Sequence, residues 1–129
     1  MTAFRYLPAV VLLLSLSGCD SFGASASANL SLALRGGILS GDLGAGLPEN
    51  ARRSAADAEY RALEGGQTNA PVAWKISDTL QGSVVPQQPY AVGSANCRRY
   101  THTITQAGAI RTATGTACRR EDGVWRPLA

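Results

Sequence analysis

The chain has little of what most enzymes and nucleic-acid binders need. Aromatic residues make up 6% of it and there is one histidine, His102, in 129 residues. So few stacking rings, with a net charge of only +3, argue against nucleic acid as a partner. A serine- or cysteine-type catalytic set would have to use His102, which lies in mid-strand among threonines and is expected to be an exposed or half-packed strand residue. Glu121 and Asp122 are adjacent in a turn and cannot flank a substrate from opposite sides. No catalytic set is visible, so the expectation is a protein that is not an enzyme and needs no cofactor. There is no C-x-x-C, which removes the usual redox motif. Two cysteines and one histidine also fall short of the usual four-ligand zinc spacing, so no metal site is expected. Nor is there an apolar run of about 20 residues, the length that spans a bilayer.

What is present begins at the amino end. Leu7 to Leu16 is an apolar run that suits the core of a secretory signal, with Arg5 ahead of it. It leads into Leu16-Ser17-Gly18-Cys19, which resembles the lipobox of bacterial lipoproteins. In that chemistry the Cys19 thiol takes a diacylglyceryl group and cleavage follows small residues. Residues 1–18 are then a signal peptide, and Cys19 is the lipidated first residue of the mature chain. Two or more acyl chains anchor a protein stably where one does not.

Lipidation of Cys19 leaves two cysteines in an exported chain, and a disulfide Cys97–Cys118 is the expectation. The mature chain keeps a charge of +2, and the surplus sits late. From residue 70 onward Lys75, Arg98, Arg99, Arg111, Arg119, Arg120 and Arg126 stand against Asp78, Glu121 and Asp122. That balance leans toward anionic partners such as lipid phosphates.

Three zones follow the signal. Residues 19–46 read as a Ser/Ala- and Gly-rich tether. Gly37 and Gly41 have the G-x-x-x-G spacing of close-packed membrane helices. Arg35 and Asp42 interrupt it, so a flexible glycine-rich segment is expected. Residues 48–64 read as a helix. Pro48 suits a first turn, Glu49 complements the dipole, Gly65-Gly66 stop it, and Ala51, Ala55, Ala58 and Ala62 make a thin apolar face. Residues 70–129 read as strands, with Gly82-Ser83-Val84-Val85-Pro86 ended by proline and a three-stranded meander after residue 94. The fold class is therefore α+β: one helix, then an antiparallel meander of about four strands stapled by a disulfide.

The hairpin register can be derived. A two-residue turn at Ala107-Gly108 pairs Gln106 with Ala109 and, counting outward, Cys97 with Cys118. The cysteines then fall on a non-hydrogen-bonded pair, where Cα atoms stand about 4.5 Å apart. A second turn at Asp122-Gly123 returns the chain through Val124-Trp125. In this register Arg99 and Arg120 share the cysteine face, and Arg98 and Arg119 the opposite one. The four arginines would flank the disulfide end as a collar, either solvated and paired with Glu121 and Asp122, or contacting lipid phosphates or cell-wall carboxylates. Trp74 and Trp125 read as core or sheet-face anchors.

Several of these stretches together resemble a known family. They are Trp74, Gly82 to Pro86, Cys97-Arg98-Arg99-Tyr100-Thr101, Gly115 to Arg119 and Asp122-Gly123-Val124-Trp125, along with Ala58 to Glu64 and the lipobox. The pattern resembles the C-terminal domain of the 17 kDa surface antigen lipoproteins of rickettsiae and other alphaproteobacteria, over residues 47–129. The resemblance implies an outer-membrane lipoprotein, a surface antigen or structural component of the envelope. The alternative is a periplasmic binding module, a hydrolase inhibitor or envelope-assembly accessory, that uses the arginines to engage lipid phosphates, cell-wall polymer or envelope proteins.

Overall fold

A computed structural model describes residues 29–128. Three short 3-10 turns, Leu32–Gly36, Ile38–Ser40 and Asp42–Gly44, lead into helix α1, Glu49–Gly65. Six strands follow: β1 Val72–Ser77, β2 Leu80–Pro86, β3 Tyr90–Val92, β4 Ala95–Gln106, β5 Ala109–Arg119 and β6 Trp125–Pro127. They form one antiparallel sheet in the order β1-β2-β4-β5-β6, and β3 pairs with β4 beyond the end of β2. The helix and the 3-10 turns cover one face and leave the other open.

The α+β class holds, with more strands than the four expected. β1 supplies one, through a tight hairpin to β2 in which Trp74 stands opposite Gly82. β3 supplies another. Val84 stands opposite His102 and Pro86 opposite Tyr100, but Tyr90 stands opposite Cys97, so three residues of one strand oppose two of the next. That shift by one residue splits a single long hairpin arm into β2 and β3.

The helix occupies nearly the span expected of it. Its buried stripe is Ala51, Ala55, Ala58 and Ala62, all at 0% exposure, and these small side chains let the helix axis lie close to the sheet. Gly66 ends it, and a Cβ there would lie 2.5 Å from the Ala62 carbonyl oxygen. The β4–β5 register matches the derivation residue for residue, from Gln106 opposite Ala109 through Cys97 opposite Cys118. Ala107 and Gly108 both have positive φ, 49° and 83°, as a tight primed turn requires. The second turn is looser than expected. Gly123 N–H bonds the Arg120 carbonyl, and β6 begins only at Trp125.

Of the expected tether over 19–46, residues 19–28 lie outside the described residues and the remainder needs correction. Leu34, Leu39 and Leu43 are 0–3% exposed and, with Leu47, join the same core as the helix alanines, Tyr100 and Ile104. The glycines act here as bends. Each 3-10 turn closes on its own backbone bond, Gly37 N–H to Leu34 O, Gly41 N–H to Ile38 O and Ala45 N–H to Asp42 O. A leucine can therefore be turned inward every four or five residues without stranding polar backbone. Ser31 Oγ donates to Asp57 Oδ1 of the helix, which ties this segment to the body of the fold from residue 31 onward. The signal peptide and Cys19 lie outside the described residues.

Candidate functional site

Residues alternate along β4 between two environments. The even residues Arg98, Tyr100, His102 and Ile104 face the helix and are buried. The odd ones, Arg99, Thr101, Thr103 and Thr105, face the open side with Thr112, Thr114 and Thr116 of β5.

His102 is not the exposed or half-packed residue expected. It is fully buried and bonded on both sides. Trp74 Nε1–H, which can only donate, reaches His102 Nε2 at 2.8 Å. That makes Nε2 the acceptor and places the ring proton on Nδ1, which stands 2.8 Å from Glu59 Oε1 of the helix. The rings of Trp74 and His102 meet edge to face at 87°. Gly82 makes room for this, since a Cβ there would lie 2.6 Å from Trp74 Nε1 and 2.7 Å from the Thr103 carbonyl oxygen.

Burial raises the Glu59 carboxyl above the ordinary range, and the hydrogen bond from His102 opposes this only in part. Tyr100 beside it is likewise pushed up, first by burial and then by the Glu59 charge. Glu59 Oε2 and the Tyr100 hydroxyl have no hydrogen-bond partner in the described geometry. A proton on either Glu59 Oε2 or the Tyr100 hydroxyl can bridge these two groups. The cluster ties helix to sheet, and it is sealed from solvent. Its sequence signal was Glu59 itself, an acid on the stripe of Ala55 and Ala62, facing a strand with one histidine.

The disulfide joins Cys97 and Cys118, with Cα atoms 4.0 Å apart. In the chain-entropy picture, closing this loop is worth roughly 3 kcal/mol.

The expected collar of four arginines does not assemble. Arg98 is 4% exposed and spends its donors on backbone carbonyls. Nη1 donates to Ala62 O at 2.9 Å and Leu63 O at 3.2 Å, Nη2 to Gly66 O at 2.7 Å, and Nε to Gln87 O at 2.6 Å. It is a cap on the helix C-terminus, where the dipole favours a cation and the last carbonyls lack partners. Arg119 pairs with Glu64 and lies over Trp125, 5.4 Å from the ring centroid. Trp125 Nε1–H bonds the same carboxylate. Both tryptophans are core anchors, at 5% and 3% exposure. Arg99 and Arg120 remain exposed on the cysteine face, and neither has an ion pair or side-chain hydrogen bond among the described residues. Arg126 joins them there, opposite Cys118, and pairs with Asp122 at 2.7 Å. Two open grooves flank this end. One of about 630 Å³ runs between Gly37, Tyr90, Arg99, Thr116 and Leu128. The other, of about 360 Å³, lies between Cys118, Arg120, Arg126 and Leu128.

Among the described residues no cluster of three or more His, Cys, Asp or Glu could hold a metal, and no helix is long and apolar enough to cross a membrane. No solved structure matches the chain. The 17 kDa surface antigens of Rickettsia bellii (strain RML369-C) and Rickettsia felis are each 38% identical to it, over 86 and 83 residues. Those alignments cover 65% and 63% of this chain, and 54% and 52% of the relatives. The Rickettsia rickettsii 17 kDa surface antigen is also 38% identical over 83 residues. The chain thus spans about half the length of the curated relatives it matches. The model of the family described as 17 kDa outer membrane surface antigen matches residues 61–126. This stretch runs from the end of α1, which Arg98 caps, through Trp74 and the bridged hairpin to β6, and on that match the chain belongs to the 17 kDa outer membrane surface antigen family.

Proposed function

We propose that this protein is a non-catalytic lipoprotein of the outer membrane, held by lipid on Cys19, whose domain serves as a surface antigen or structural component of the envelope. The observation that carries the non-catalytic part is the placement of His102. The one histidine is enclosed with Glu59 and Trp74 between helix and sheet, where a substrate does not reach it. The family description supports the membrane address, and the Leu16-Ser17-Gly18-Cys19 motif supports the anchor.

Metabolic labelling with a clickable palmitate tests the anchor. The native chain should label and Cys19→Ser should go dark, because serine offers no thiol for the thioether. Full labelling of the variant would overturn the anchor. Membrane fractionation with protease shaving tests the address, and recovery in the inner membrane would overturn it.

A second reading, a binding module such as a hydrolase inhibitor or an envelope-assembly accessory, draws on Arg99 and Arg120, which stand exposed without an ion pair among the described residues. Recovery of one stoichiometric partner from envelope proteins or cell-wall fragments would favour it.

A further inference from the structure

Apolar and cationic side chains stand together at the disulfide end of the open sheet face. Tyr90 is opposite Cys97, Cys97 opposite Cys118, and Cys118 opposite Arg126, so one row crosses four strands. Side chains paired across an antiparallel ladder share a face. Arg99 belongs to the adjacent row, opposite Thr116. Val92 lies two residues beyond Tyr90 and so on the same face. Leu128 joins the two grooves, lining one with Tyr90 and Arg99 and the other with Arg120 and Arg126.

The patch is therefore continuous. Tyr90, Val92 and Leu128 are 42%, 59% and 57% exposed, and they are three of the five large apolar side chains left exposed among the described residues. Their gathering at one end marks an interaction surface rather than scattered exposure. The acids of the adjoining loop, Glu121 and Asp122, line neither groove. Arg126 already engages Asp122, which leaves Arg99 and Arg120 as the cations of this patch with no ion pair or side-chain hydrogen bond among the described residues.

The first described turn lies at the same edge. The turn Leu32–Gly36 packs on β6, and Gly37 sits so close to Pro127 that a Cβ would lie 2.8 Å from the proline Cβ. The stretch from Cys19 to Asn29 spans at most about 35 Å when extended. A lipid on Cys19 would thus keep this end within reach of a bilayer.

We propose that the disulfide end is a membrane-facing surface. Arg99, Arg120 and Arg126 contact the phosphates of anionic lipids while Tyr90, Val92 and Leu128 enter the headgroup boundary. Guanidinium groups match phosphate oxygens, and a tyrosine or leucine beside them suits the boundary between headgroup and acyl chain. The orientation rests on the lipid-anchored reading above, whereas the affinity of the patch does not.

The test uses the chain starting at residue 20, which carries no lipid. Every residue of the described core lies within 34–125, so the chain from residue 20 retains all of it. It is floated with vesicles of phosphatidylcholine, alone or with one third phosphatidylglycerol. Binding is expected with the anionic vesicles at low salt and should weaken toward physiological ionic strength. Replacing Arg99, Arg120 and Arg126 by Gln should lower partitioning roughly a hundredfold, about fivefold for each charge near the surface. Replacing Tyr90, Val92 and Leu128 by Ser should lower it about tenfold. Arg53→Gln with Arg61→Gln, on the helix, should change it little, and thermal melts check that every variant is folded. No flotation at low salt, equal flotation with phosphatidylcholine alone, or a triple arginine variant that behaves as the helix control would each overturn the proposal. Binding to a polyglutamate peptide without flotation would overturn the lipid assignment in favour of an acidic protein partner. Palmitate labelling of Cys19 reads the anchor alone. A protein that labels in the cell but whose lipid-free form does not float keeps the anchor and loses the docking surface.

Discussion

Arg98 and Arg99 are neighbours with the same side chain, yet one is 4% exposed and the other faces solvent. Strand alternation alone separates them. Arg98 falls on the face of Tyr100, His102 and Ile104, where its donors meet carbonyls from the end of the helix and from Gln87. Arg99 falls on the face of the threonines, where partners are local: Thr101 with Thr114 at 3.1 Å and Thr103 with Thr112 at 3.2 Å. On one face polar side chains hold distant elements together. On the other they bond across one hairpin. The same residue type is therefore structural or available for binding according to the parity of its number.

The largest effect that would break this comparison is expected at Arg98. Arg98→Met keeps much of the apolar stem but removes the guanidinium donors of Leu63 O, Gly66 O and Gln87 O, while Ala62 O keeps the Gly66 N–H. An acceptor left unpaired costs about 1–3 kcal/mol when buried. A loss of about 3–5 kcal/mol in denaturant unfolding is expected, against no more than about 0.5 kcal/mol for Arg99→Met. Arg98→Lys should not restore the loss, because an ammonium cannot span carbonyls that a planar fork reaches together. Equal effects at the two arginines would show that the faces are wrongly assigned.

Leu39→Ala comes next. Were residues 32–46 a tether, this change would be silent. Leu39 is 1% exposed in the common core, so a loss of about 3 kcal/mol is expected, from lost burial and from the cavity left behind.

The buried face should also carry a pH signature that the open face lacks. Glu59 has a folded pKa raised above its unfolded value by burial. Its contribution to stability is then fully present below the unfolded pKa of about 4.3 and is lost as pH rises toward the folded pKa, because the folded state binds the extra proton. Glu59→Gln keeps the shape, can accept from His102 Nδ1–H and can donate toward Tyr100. Relative to the Glu59→Gln variant, the native chain should lose stability with rising pH by up to about 1.4 kcal/mol per unit over that window. The exposed carboxylates Glu49 and Asp122, lowered chiefly by Arg35 and Arg126, act in the opposite sense at lower pH and are common to both proteins. Parallel pH profiles for the two proteins would show that folding does not raise the Glu59 pKa.

Parity was legible in the sequence before the faces were. The Ala107-Gly108 turn and the cysteine spacing constrain one register from both ends, and the register holds. The alternation of Tyr100, His102 and Ile104 with Thr101, Thr103 and Thr105 also carried the burial signal, and Arg98 has the parity of the apolar set. What misled was the cysteine pair, whose arginine neighbours read as a surface collar. The segment 32–47 was illegible for a different reason. Leu39, Leu43 and Leu47 recur every four residues and Leu34 stands five before them, but the glycines between them read as flexibility and hid the pattern. Only the packed structure shows that Gly37 and Gly41 each close a turn.

The smallest effect is the one expected on the open face, and it sharpens the comparison most finely. Thr103 and Thr112 stand opposite each other, with hydroxyls 3.2 Å apart. Thr103→Val keeps the β-branched shape and removes one hydroxyl. If water reaches the pair, the orphaned Thr112 hydroxyl bonds solvent instead, and the change should stay within about 0.5 kcal/mol. A double-mutant cycle with Thr112→Val should then give a coupling near the lower end of the range of about 0.2–1 kcal/mol found for cross-strand pairs. A loss well above 1 kcal/mol in the isolated chain would mean that this hydroxyl is desolvated, and so that something covers the threonine face in solution. In that case sedimentation of the same sample should reveal a second copy seated on it. A monomer with a costly Thr103→Val would contradict the division of the sheet into a buried and an open face.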